Sequence, residues 1–138
     1  MIRITLCLFL FVSLVSCDSF IGKNASKDDL TGSTWVLTNI GTLSAQKGVE
    51  STLVFDSDST LSGFSGCNSY DSDYSLDGED FSVSGVTSST DSCAESVMDQ
   101  EANFIITLES AVSVKLYGDN LVIKSNDNIF NKLKFTKQ

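Results

Sequence analysis

Histidine is absent from all 138 residues, which removes the Ser-His-Asp and Cys-His nucleophile arrangements and the common zinc sites together. Carboxylate pairs remain for acid–base work, so the exclusion is partial, but the expectation moves from catalysis toward binding or structure. Proline is absent too, so no strand is marked as an edge by it. Arginine occurs once, at Arg3; the whole chain carries −9, and without Arg3 eight lysines stand against eighteen acids, giving −10. That balance repels nucleic-acid phosphates and anionic headgroups, so neither is expected as a partner through net charge. The apolar run from Ile4 to Leu14 is too short to cross about 30 Å of hydrocarbon as a helix.

What that run does fit is the core of a secretion signal, opened by Arg3 and closed by Leu14-Val15-Ser16-Cys17. Small Ser16 suits the peptidase subsite before the cut, and a thiol directly after the cut is open to alkylation with diacylglycerol. The pattern resembles the lipobox of bacterial lipoproteins, position for position, and it implies lipid attachment at Cys17. A single acyl chain holds only weakly, at about 0.8 kcal/mol per buried methylene, whereas two or three chains on one residue anchor stably. The expected organisation is a signal peptide over residues 1–16, a lipidated flexible tether over 17–29, and one domain over 30–138. The membrane, reached through the lipid on Cys17, is the expected partner, and the location is the cell envelope. Asp18 resembles an inner-membrane retention signal of enterobacteria, but other phyla sort differently, so inner or outer membrane stays open.

Cys7 leaves with the signal and Cys17 carries lipid, which leaves Cys67 and Cys93. In an oxidising envelope that pair is a candidate disulfide; two buried free thiols and a redox-active pair are the alternatives. Closing a loop of roughly 27 residues is worth about 3.5 kcal/mol in the chain-entropy model.

From Thr34 onward, short apolar alternations are punctuated by glycine, aspartate and asparagine, as in an antiparallel meander. Trp35 with Leu37, Leu53 to Phe55, Leu61, Tyr74 with Leu76, and Phe81 with Val83 form the first set. Val112 to Leu116, Leu121 to Ile123 and Ile129 to Phe135 form the second, giving about eight strands. Leu76-Asp77-Gly78-Glu79-Asp80-Phe81 predicts a hairpin, because Asp-Gly supplies the positive φ of tight turns. Between the sets, Ala94, Val97, Met98, Phe104, Ile105 and Leu108 recur at helical steps, and Ser92 with Glu95 suggests a capping box. Glu101 falls in the middle of that stripe. A buried carboxylate must be protonated, accept hydrogen bonds from amides or an indole, pair with a lysine, or reach a cleft. Glu101 is therefore a candidate buried structural carboxylate, fixing the helix to the sheet, with a ligand or acid–base role and a partly exposed stripe as the alternatives.

Two motifs suggest chemistry and fall short of it. Gly63-Phe64-Ser65-Gly66-Cys67 lacks the ending and helix of a phosphate loop, so it reads as a tight bend bringing Cys67 near Cys93. Any recognition cleft is sought between that bend and Ser88-Ser89-Thr90-Asp91. Asp71-Ser72-Asp73 starts like a calcium loop, but Leu76 stands where its glycine is required, so solvated charge is expected and no metal site.

Taken together, Leu30-Thr31-Gly32-Ser33-Thr34-Trp35, Leu53-Val54-Phe55 with Leu61-Ser62-Gly63, Gly66-Cys67-Asn68-Ser69-Tyr70 and Gln100-Glu101-Ala102-Asn103-Phe104 resemble the META domain family, which includes the HslJ-like bacterial lipoproteins. The resemblance implies an α+β fold: a mainly antiparallel β meander curled into a partial barrel with one packed α-helix. It also implies an envelope protein tied to stress response or antibiotic tolerance, with no catalytic residues or cofactors to carry over. This chain departs at Thr90-Asp91-Ser92, where many members have a methionine and an alanine. The expected function is a lipid-anchored, non-enzymatic protein binding a protein or envelope component. A carrier of a small apolar ligand in a partly closed barrel is the alternative, and a carboxylate-dependent hydrolase would need two acids held across a cleft.

Overall fold

The computed structural model describes residues 21–57 and 59–138; Cys17, the signal segment and the start of the tether lie outside the described residues. The strands are β1 (Lys23–Asn24), β2 (Thr34–Ile40), β3 (Leu43–Ser44), β4 (Thr52–Phe55), β5 (Thr60–Phe64), β6 (Ser69–Asp77), β7 (Asp80–Ser88), β8 (Ala111–Tyr117), β9 (Asn120–Ser125) and β10 (Lys132–Lys137). The helices are α1 (Lys27–Leu30) and α2 (Glu95–Glu109). Every pairing is antiparallel, and the order β8-β7-β6-β5-β4-β2-β10-β9 returns to β8 through the β8–β9 hairpin. Eight strands thus curl into a barrel, as expected, and the ring is completed by a thin seam where β7 meets β8 only at Asp80↔Ser113.

Alternation drives the ring. Along β6, Tyr70, Ser72 and Tyr74 turn inward while Asp71, Asp73 and Ser75 face out, the period that lets one strand face both core and water. The interior is filled: Trp35 and Phe81 are 2 % exposed, and Phe55, Phe104 and Phe135 are fully buried. Phe55 meets Tyr74 edge-on at 5.2 Å between ring centres, and Phe104 bridges Tyr70 at 5.6 Å to Phe135 at 6.2 Å. The indole of Trp35 donates from Nε1 to Ser33 Oγ at 2.7 Å, so its polar edge is satisfied inside the core.

Three boundaries differ from the sequence reading, each for a physical reason. First, the fold begins before residue 30: Lys23 and Asn24 pair with Leu116 and Lys115, and Ala25 is buried. Ser26 and Asp29 form a reciprocal capping box on α1, and Lys23 Nζ lies 2.7 Å from Asp29 Oδ1. The lysine contact first, then the bonds from Ser26, hold the Asp29 carboxyl down at about 2. Second, α2 starts at Glu95 with Ala94 before it and no side-chain cap, because Asp91 and Cys93 are held elsewhere. Third, β10 starts at Lys132, because Asp127 accepts from the amides of Ile129 and Phe130 and turns the chain there, leaving Ile129 exposed.

Candidate functional site

Helix α2 links β7 to β8 and packs against β7, β10, β2 and β9, closing the end of the ring where β5 turns into β6. Its buried residues are Gln100, Glu101, Phe104, Thr107 and Leu108. Relative to the expected stripe, the buried face is rotated by about 60° toward Gln100. Val97 and Met98 are half-buried and Ala94 is exposed. The C-terminal half of the helix therefore docks by apolar packing, and the N-terminal half by hydrogen bonds.

Glu101 carries most of those bonds. Its Oε2 accepts from Ser65 Oγ at 2.6 Å, the Cys67 amide at 3.1 Å and the Asn68 amide at 2.7 Å; its Oε1 accepts from Asn68 Nδ2 at 2.6 Å. Burial pushes the carboxyl pKa up, but the donors of Ser65, Asn68 and Cys67 together outweigh it and hold it below the ordinary value. Of the fates open to a buried carboxylate, the structure has the charged, amide-bound one, with neither a lysine nor the indole against it.

The backbone can wrap the carboxylate only because small residues stand at the bend. Gly66 lies at φ +123°, and a Cβ there would come within 3.1 Å of Val49 Cγ1. A Cβ on Gly63 would meet the Thr52 carbonyl oxygen at 2.2 Å. Cys67 and Cys93 are joined by a disulfide with their Cα atoms 5.9 Å apart.

Asn68 then ties the bend to the chain before the helix. Its Oδ1 accepts from Ser89 Oγ at 2.9 Å and the Asp91 amide at 2.7 Å, while its Nδ2 also reaches the Asp91 carbonyl at 3.3 Å. The space between residues 63–68 and 88–91, where a recognition cleft was sought, is laced shut by these bonds.

Sequence reasoning missed Gln100. Its Oε1 accepts from the Gln46 amide at 2.7 Å, its Nε2 donates to Ser51 Oγ at 3.2 Å, and Gln46 Nε2 donates to the Ser96 carbonyl. The available signal was its place one step before Glu101 on the same helix, at the margin of the apolar stripe whose middle Glu101 occupies. Beside it lies an open groove of about 330 Å³ between β2–β3 and α2, lined by Ile40, Leu43, Gln46, Asp99 and Asn103. Leu43 is 56 % exposed there.

Asp71-Ser72-Asp73 lies in a strand, with the two carboxylates outward and Ser72 inward, so the segment does not curl around an ion. Among the described residues, no group of three or more acidic, cysteine or histidine side chains is arranged to hold a metal.

The sequence profile described as META domain matches residues 28–137. The fold is similar to an NMR structure of a protein from Burkholderia xenovorans, at 21% identity and a TM-score of 0.63, covering 81% of this chain and 86% of that one. It is also similar to a second protein solved by NMR, at 16% identity and a TM-score of 0.65, covering 81% of this chain and 94% of that one. No curated protein matches the chain.

Proposed function

The chain belongs to the META domain family, and from that premise we propose that it is a lipid-anchored, non-enzymatic module of the bacterial cell envelope, linked to stress response or antibiotic tolerance. Cys17 carries the anchor, and the domain binds a protein or envelope component on its outer surface. The filled ring is the observation that carries this reading: Trp35, Phe55, Phe81, Phe104 and Phe135 occupy the space that a carrier needs for its ligand. Support for a non-catalytic role comes from Glu101, whose oxygens are occupied by four protein donors and which therefore has little capacity left to move a proton.

The groove between β2–β3 and α2 is the part of that surface suited to a partner, because it pairs exposed Leu43 with the side-chain amide of Asn103 and the carboxylate of Asp99. A photo-crosslinking residue placed at Leu43, in the protein carried on its native membrane, tests this. One discrete adduct from that position, and none from the outward-facing Ser84 on the far strands, is the expected result. Equal, diffuse labelling from both positions would remove the groove from the account.

A further inference from the structure

Net charge describes this molecule poorly, because strand register gathers four of the eight lysines on one side of the ring, with Asp119 in the β8–β9 turn at the end of that side. Lys115, Lys124, Lys132 and Lys134 alternate with the buried Val114, Leu116, Ile123, Leu133 and Phe135, so all four point outward from β8, β9 and β10. The registers Lys132↔Lys124, Lys134↔Val122 and Lys115↔Val122 place them on neighbouring positions of one face. An open depression of about 510 Å³ lies there, lined by Lys124, Lys132, Lys134, Tyr117, Asn39 and Asn120. Among the described residues the only ion pair is Lys23–Asp29, so none of these four lysines is neutralised by one. Asp71, Asp73 and Asp77 project from β6, on the opposite side of the ring order.

The amino-terminal strand enters beside this face. Asn24 pairs with Lys115 and Lys23 with Leu116, and Gly22 packs so closely on Tyr117 that a Cβ would lie 2.3 Å from its ring. From Cys17 to Gly22 the chain spans at most about 18 Å. Any anchor on Cys17 therefore holds the lysine face within reach of the headgroups.

We propose that the β8–β9–β10 lysine face is a membrane-docking surface for anionic lipid headgroups. It lays the barrel on its side against the bilayer, with Tyr117 at the interface. This rests on the anchored reading given above, and it reverses, for one face, the repulsion expected from net charge alone.

The full anchored protein, reconstituted on vesicles of phosphatidylcholine alone or with phosphatidylglycerol added, separates the two ideas when its lysines are acetylated and mapped by mass spectrometry. With the anionic lipid, labelling of Lys115, Lys124, Lys132 and Lys134 is expected to fall severalfold, to return at high salt, and to leave Lys47 unchanged. In the Lys124→Gln/Lys132→Gln variant, affinity for the anionic surface should fall by about fivefold per lysine removed, so the protection of Lys134 and Lys115 should be largely lost. Equal labelling on both vesicles, or protection untouched in the variant, would overturn the docking face. Protection by double-stranded DNA but not by the anionic vesicles would overturn it as well. Failure of the anchor has a different signature: no protein on the neutral vesicles.

Discussion

At the residue scale the fold turns on Glu101. Four donors converge on a carboxylate that burial would otherwise neutralise, so its charge is itself part of the packing. Glu101→Gln places an amide NH₂ against groups that are already donors, and the loss should be about 2 to 3 kcal/mol. In a domain of this size that lowers Tm by on the order of 10 °C. The pH dependence has a definite sign. The folded carboxyl titrates below its ordinary value of 4.5, so its contribution is complete above that value and is lost as pH falls through the lower folded one. Thermal melts between neutral and acid pH should therefore show a steep acid loss in the native chain and a shallower one in Glu101→Gln. Parallel curves would contradict the charged reading. Glu101 was legible in the sequence because a carboxylate in mid-stripe demands an explanation. Gln100 was not, because a neutral amide near a stripe edge is as common on a surface as in a network.

At the element scale, α2 is a helix without its own N-terminal cap. The Ser92–Glu95 capping box suggested by the sequence does not form, since the chain before α2 is drawn to the β5–β6 bend by the Cys67–Cys93 bridge and by Asn68. Local propensity lost to tertiary pairing. The bridge and the Asn68 bonds do the work a cap would do, and Cys93 is exposed enough for a reductant to reach. Reduction should lower stability by about 3.5 kcal/mol in the chain-entropy model. Hydrogen exchange should accelerate first at residues 95–98, ahead of β2 and β6. Uniform acceleration across the barrel would contradict a local clasp. The strands themselves were largely legible, since Trp35-Leu37, Phe81-Val83 and Leu121-Ile123 alternate cleanly and Asp77-Gly78 marks its hairpin. Ring closure was not, because β2–β10 and β7–β8 pair residues that sequence periodicity cannot assign to one another.

At the scale of the whole molecule, the barrel interior is filled by side chains, and the proposed function places its binding on the outside. Titration with a fatty acid or an apolar fluorophore should give no saturable binding to the native chain; a stoichiometric site would restore the carrier reading. The charge asymmetry belongs to this scale too. Lys115, Lys124, Lys132 and Lys134 are scattered along the chain and disappear into a total of −9. Strand register alone brings them together, which is why composition pointed away from membranes while the fold supplies a basic side.

The proposed function depends on an anchor at Cys17, and the intact mass of the protein isolated from its native cells tests that most directly. A chain beginning at Cys17, heavier than its amino-acid sequence by a diacylglycerol and an acyl group, is the expected result. A freely soluble, unacylated product, or one that still carries residues 1–16, would contradict the account.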